Sequence, residues 1–400
     1  MACFSCSAQG RNASYTPVGL CDGLPKIQVT TQPDFCVGIV ADGFKFPRGI
    51  LPLANGDLIT VDMGAWMENR GSVWLLNKDH ATYKKIPLLQ KLDRPNSIAL
   101  GPDGLVYVGT VKRIFRFDPR NPTQTVTDVI GGKSSVAELP GTGRHLLTSM
   151  TFDRRGDMYV NVGSKTDHCE QESGSAPTGK TCPEAEGPEP TGSIRKYEMQ
   201  WPSGTVKRWS VYARGLRNSM ALAIHPLSGE LWQGENSRDA IQLAMPELKN
   251  DDELPHDELN LIRSGANYGW PYCFDDNRAS PEFKTVGCSR FSRPAVLLPA
   301  HAAPLGMTFY TGSRFPLKYA NSLIVGFHGY RRHGHRIVAL LPDKTGAPLG
   351  KMIDMVSNWG AKDGQPMGAP VDVRMGADGS VYITEDRNGT VLRLQYTAKP

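Results

Sequence analysis

Pro102-Asp103-Gly104-Leu105-Val106-Tyr107-Val108 is the stretch on which the fold turns. Asp-Gly supplies a tight turn with a left-handed residue, and the alternating apolar residues after it read as a strand. Ser97 to Leu100, just upstream, reads as the strand that enters the turn. The pattern recurs at Ala54-Asn55-Gly56-Asp57-Leu58-Ile59-Thr60-Val61 and at Arg155-Gly156-Asp157-Met158-Tyr159-Val160. It returns at Ser228-Gly229-Glu230-Leu231-Trp232 and at Ala377-Asp378-Gly379-Ser380-Val381-Tyr382-Ile383. A weaker copy is Tyr319-Ala320-Asn321-Ser322-Leu323-Ile324-Val325, which makes six. A small antiparallel sheet cannot bury both faces alone, so six such units must stack around an axis. The expectation is an all-β, six-bladed β-propeller.

Working outward, further apolar strands follow most copies, as at Ser72 to Leu76, Arg113 to Phe117 and Ser193 to Tyr197. Phe35 to Val40 precedes the first copy and is expected to supply the outer strand of the last blade. The long intervals Asp167 to Gly192, Glu235 to Cys288 and His328 to His335 are expected as insertions on a propeller face. No long segment of helical period competes. Residues 1–20 are expected as a disordered tail and residues 21–400 as one propeller domain.

The 45 Lys and Arg against 40 Asp and Glu give a net charge of +5, with the signs interleaved. No basic block resembles a nucleic-acid footprint. No run of about 18 apolar residues is present, so no membrane span is expected. Met1 to Pro17 is polar and lacks the apolar centre of a signal peptide. Of eight cysteines, six fall into near-sequence pairs, Cys21/Cys36, Cys169/Cys182 and Cys273/Cys288. Each pair closes a Gly-, Pro- or charge-rich segment. Disulfides are the expectation, and with them an oxidising compartment, periplasmic or secreted. Cys3 and Cys6 form Cys-x-x-Cys without the following His of a haem attachment site, and read as tail residues.

Four places carry chemistry. His145 ends Gly141-Thr142-Gly143-Arg144-His145 just before an innermost strand, where it would point into the central channel. An imidazole with its ordinary pKa of about 6.5 is a usable general base there. Gly215-Leu216-Arg217-Asn218 holds the same place in the next blade, and Arg217 offers a planar fork for carboxylates. Asp257-Glu258-Leu259-Asn260, followed by Gly265 to Pro271, suits a hard cation such as calcium. Upstream, Asp251, Asp252 and Glu253 read as a solvated run. His328-Gly329-Tyr330-Arg331-Arg332-His333-Gly334-His335-Arg336 is the densest basic cluster, which reads as an anion site or a solvated hairpin tip.

Gly-Leu-Arg-Asn at 215–218, Asp-Glu-Leu-Asn at 257–260 and Asn-Tyr-Gly-Trp-Pro at 267–271 occur in that order. Together they resemble the glucose/sorbosone dehydrogenase family, over about Phe46 to Leu394. Ala303-Pro304-Leu305-Gly306 and Asp386-Arg387-Asn388-Gly389 resemble its sorbosone-dehydrogenase branch. The resemblance implies a six-bladed propeller that oxidises aldose sugars with pyrroloquinoline quinone. It implies that His145 is the catalytic base, and that Arg217 and Asn218 contact the quinone. His301, His328 and Arg331 are expected to complete the cofactor site. Glu258 and the backbone of Tyr268 are expected to bind calcium. Leu146-Leu147-Thr148 departs from the family's small glycines, and Glu235 to His256 is longer than the family's Gly-rich loop. Electrons are expected to pass to an external acceptor. Two other readings stand beside this one. One is a metal-dependent lactonase or hydrolase using Asp62, Asn96, Asn218 and Asp372. The other is a non-catalytic ligand-binding propeller.

Overall fold

The computed structural model describes residues 15–398 apart from 172, 176, 178–179 and 361–365. Six antiparallel sheets stand around an axis, each built from consecutive hairpins. Blade 1 is Pro47–Pro52, Leu58–Asp62, Gly71–Asp79 and Thr82–Leu92, from the axis outward. Blade 2 begins with Ser97–Leu100 and Val106–Gly109, blade 3 with Met150–Phe152 and Met158–Val162. Blade 4 begins with Ala221–Ile224 and Leu231–Glu235, and blade 5 with Pro304–Phe309 and Leu323–Phe327. Blade 6 begins with Pro370–Met375 and Val381–Glu385. All six repeat copies therefore lead into second strands of blades, and among the described residues there is no α-helix.

The second strands carry the core. In blade 1 every residue from Leu58 to Asp62 is buried. Ile59, Val61 and Val73 of that blade pack with Ile98, Val108 and Phe115 of blade 2. Burial of each such side chain is worth about 1.5–3 kcal/mol relative to exposure, so stacking supplies what a lone sheet lacks. The faint fifth copy turns on Asn321, which sits at φ 59. Asn is among the few non-glycine residues that accept this conformation, which is why the turn survives without glycine.

The ring closes as expected. Phe35–Ala41 forms the outermost strand of blade 6, and its Val37 lies opposite Leu394. Just upstream, Thr30–Thr31 adds to the edge of blade 5. A disulfide joins Cys21 to Cys36 and so ties the closing strand to the chain before it. Of the expected tail, residues 1–14, including Cys3 and Cys6, lie outside the described residues. Tyr15 is buried and takes hydrogen bonds from Trp359 and Asn388. The other two expected disulfides, Cys169–Cys182 and Cys273–Cys288, are formed as well, in the insertions of blades 3 and 4.

One interval reads differently in three dimensions. The span Glu235 to Cys288 is not a single insertion: His256–Ile262 within it is the third strand of blade 4. The Asp-Glu-Leu-Asn motif is thus a buried strand, with Glu258 opposite Glu235 on its neighbour.

Candidate active site

First strands of successive blades start at one end of the ring, so the residues just ahead of them gather at one mouth. A cavity of about 300 Å³ opens there. His145, Arg217, Asn218, His301, His328 and Arg331 all line it, together with Asp239, Asp257 and Tyr330. Six residues singled out from the sequence, drawn from three blades, therefore share one space. Glu258 and Tyr268 line a second, smaller cavity of about 30 Å³, which Arg217 also borders.

His145 is held in one protonation state. Its Nδ1 lies 2.8 Å from the Ser164 hydroxyl and 3.1 Å from the Ser164 carbonyl. The Ser164 hydroxyl spends its only proton on the Thr166 carbonyl, 2.6 Å away. Nδ1 must therefore be the donor, and Nε2 keeps its lone pair. Burial pushes the imidazole pKa down to about 3, and the neighbouring Arg217 adds to the effect. The residue is thus a neutral acceptor at any ordinary pH, a weaker base than the sequence alone suggests but one that is always available.

The basic side chains of the mouth are already paired. Arg217 Nε donates to Asp167 Oδ1 at 2.6 Å, with both side chains under a tenth exposed. Arg331 lies 2.5 Å from Asp251, and His328 3.0 Å from Asp386. His301 sits between Asp239 at 3.5 Å and Asp251 at 3.7 Å. Asp251 is accordingly buried in the site and no part of a solvated run, whereas Asp252 and Glu253 are exposed. The basic loop 328–336 avoids self-repulsion in the same way, with Arg332 and His333 meeting Glu253. Asp167 and Asp239 escaped the sequence reading as site residues, and Asp251 was read as solvated, because all three sit on insertions without periodicity. Arg48, which joins Asp386 at 2.7 Å from the blade 1 side, was missed as well.

Glu258 and Glu235 form a buried acidic pair. Burial raises both carboxyls, Glu235 to about 7 and Glu258 well above its ordinary value, and Glu235 raises Glu258 further. The buried Oδ1 of the adjoining Asn260 has no partner among the described residues. Oxygen donors in charge excess are what a hard cation requires. The Tyr268 hydroxyl is committed to the Leu261 carbonyl at 2.6 Å, so only the backbone of Tyr268 is free to serve.

The four residues of the lactonase reading do not converge. Asn96 and Asp372 line a separate cavity of about 20 Å³, Asn218 lines the mouth, and Asp62 lines neither. Asp62 instead caps the backbone N–H groups of Lys45, Phe46 and Gly64.

Fold and mouth define a six-bladed propeller whose axial cavity presents a neutral histidine among arginines and further histidines. Residues 29–397 match the family model described as TrAA12-like, and the chain belongs to that family. It is 21% identical over 413 residues to a pyrroloquinoline quinone-dependent sugar dehydrogenase of Hypocrea jecorina, covering 90% of this chain and 87% of that protein. An uncharacterized protein of Borreliella burgdorferi is 31% identical over 198 residues, 48% of this chain, and the match spans half of that relative's length. The calcium structure of a Carbohydrate-Active Enzymes Family AA12 protein from Trichoderma reesei superimposes with a TM-score of 0.71 at 18% identity. That superposition covers 93% of this chain and 98% of the other, and it is a likeness of fold.

Proposed function

We propose that this chain is a pyrroloquinoline-quinone-dependent dehydrogenase that oxidises a sugar or a related hydroxyl or aldehyde compound, with calcium as its metal. The observation that carries the reading is the neutral, oriented His145 in one cavity with Arg217, Asn218, His301, His328 and Arg331. The Hypocrea jecorina relative, a quinone-dependent sugar dehydrogenase, supports it along nearly its whole length.

The residues present fit the cofactor. The volume is at the lower end of the range for small-molecule sites, about 300–1,000 Å³. Asn218 carries a buried amide oxygen with no partner among the described residues, which a bound group would satisfy. Arg217, His301, His328 and Arg331 would hold the carboxylates, and Glu258 with Glu235 and the Tyr268 backbone would hold calcium. When bound, the quinone supplies the two-electron acceptor, and its own chemistry carries the redox step.

The protein's part is acid–base and electrostatic. His145 Nε2 takes the substrate hydroxyl proton as the C–H hydrogen leaves with its electron pair. Ser164 fixes the ring so that this nitrogen bears no proton beforehand. Arg217 and Arg331 stabilise negative charge that develops in the cavity. The disulfides support residence in the periplasm or outside the cell. The aldose-type preference rests on the motifs at 215–271, and the sorbosone-type preference on those at 303–306 and 386–389. Dye reduction that appears only on adding quinone and calcium tests the reading. Hydrolysis of a lactone without any electron acceptor, or no turnover in either assay, overturns it.

A further inference from the structure

We infer that Asp239 sets the carboxylate selectivity of the mouth, because its side chain holds the position between Arg217 and His301 that a ligand carboxylate would take. Asp239 Oδ2 lies 3.7 Å from the Arg217 guanidinium, and Oδ1 lies 3.5 Å from His301 Nδ1. Both cationic side chains are 7% exposed, whereas the Asp239 side chain is 62% exposed and faces the cavity.

The other carboxylates around the mouth are fixed in place. Asp167 and Asp251 are only 8% and 7% exposed and make the shorter contacts to Arg217 and Arg331. Asp257 also lines the cavity, but it accepts the backbone N–H groups of Ser237 at 2.8 Å and Ala303 at 2.6 Å. Of the two carboxylates among the described residues that line the cavity, Asp239 is the one that makes only long, solvent-facing side-chain contacts, the kind that contribute least to folding.

Its removal strands neither cation. Arg217 keeps Asp167 and the Asn236 carbonyl at 2.8 Å, and His301 Nε2 keeps the Asp251 carbonyl at 2.7 Å. The Asp239 backbone is meanwhile tethered through its N–H to the same Asp167 oxygen that holds Arg217. The side chain is therefore a displaceable counter-anion on an anchored backbone. A carboxylate ligand must push it aside or share the cations with it, and like charges at that separation repel. A neutral sugar meets no such barrier.

The inference depends on the quinone reading for the natural ligand but not for the charge argument, so two probes separate them. Pyridine-2,6-dicarboxylate and pyrroloquinoline quinone are titrated into wild type, Asp239→Asn and Asp239→Glu by calorimetry. The titrations are run at about pH 5.5, below the ordinary imidazole pKa of about 6.5, to favour the charged form of the histidines. Asp239→Asn is expected to bind both probes about tenfold more tightly, and Asp239→Glu no more tightly than wild type. The gain is expected to shrink in 1 M salt, where the screening length is about 3 Å. An unchanged melting temperature for Asp239→Asn shows that its fold is intact. Dicarboxylate affinity that the Asn substitution leaves unchanged or weakens overturns the assignment while the quinone reading stands. A gain for the dicarboxylate, with no quinone binding by any of the three proteins, keeps the assignment and overturns the quinone reading.

Discussion

Arg217 and Asp167 meet at 2.6 Å inside the protein, joining the segment that leads into the innermost strand of blade 4 to the insertion of blade 3. The Arg217 guanidinium holds the Asp167 carboxyl far below the usual carboxylate range despite its burial. Breaking a buried pair on one side leaves a charge without its partner, which typically costs about 3–5 kcal/mol. Asp167→Asn is expected to fall at the low end of that range, since Asp239 remains near Arg217. Urea unfolding at neutral pH measures it. A loss of stability no larger than that of Asp239→Asn, expected under about 1 kcal/mol, speaks against the pairing.

His145 makes a prediction about pH. Its folded pKa, about 3, lies below the unfolded value of about 6.5. The folded state thus binds fewer protons, and this group's contribution to stability is complete above about pH 6.5 and declines as pH falls toward 3. Nitrogen NMR of labelled histidine is expected to show His145 neutral with its proton on Nδ1 from about pH 5 to about pH 8. An imidazolium signal near pH 6 contradicts the burial argument.

The group placed beside Nδ1 offers a way to change how basic that ring is. Ser164→Asp places a carboxylate beside Nδ1–H and should raise the imidazole pKa, moving the acid edge of kcat/KM upward. Ser164→Ala leaves the main-chain acceptor at 3.1 Å and should keep the edge in place. His145→Gln should lower turnover by about 10²–10⁴-fold. Equal pH profiles for the Asp and Ala variants would remove Ser164 from the proton path.

Calcium binding should show itself in stability without any turnover. At about 100 times Kd a cation that binds only the folded state adds about 2.7 kcal/mol. Calcium is expected to raise the melting temperature of the wild type, and Glu258→Gln is expected to abolish the rise. A Glu258→Gln protein that responds to calcium like the wild type places the metal elsewhere.

The three disulfides close loops with sequence separations of 15, 13 and 15. A bridge across a loop of that size is worth about 3 kcal/mol in the chain-entropy account. Alkylation of the unreduced protein should leave six of the eight cysteines unmodified. Modification at Cys169 or Cys182 would show that the blade 3 insertion is not stapled.

The propeller could be read from the sequence because hairpin signals are local. Asp103-Gly104 and the residues beside it specify a turn and two strands with no knowledge of the rest of the chain. The third strand of blade 4 was harder, since His256–Ile262 mixes His, Asp and Glu with Leu and so lacks clean alternation. Its buried Asp257 is satisfied by the backbone N–H groups of Ser237 and Ala303, which the strand's own residues do not reveal. The cluster around the mouth was legible for His145, Arg217 and Asn218, which hold fixed positions relative to innermost strands. Their partners were not. Asp167, Asp239 and Asp251 arrive on irregular insertions, and nothing in the order of residues tells a paired aspartate from a solvated one.

Blade 6 is built from two distant parts of the chain, with Phe35–Ala41 laid against Thr390–Tyr396. During synthesis the first part emerges early and then waits. Until the second part is made, the waiting strand has a bare edge that invites pairing with another molecule. The five preceding blades can stack one after another, but the ring stays an open arc that only the last strand converts into a closed body. A protease cut between Asn388 and Thr390 followed by release of the tail would reopen that arc even though every other blade kept its own hydrogen bonds.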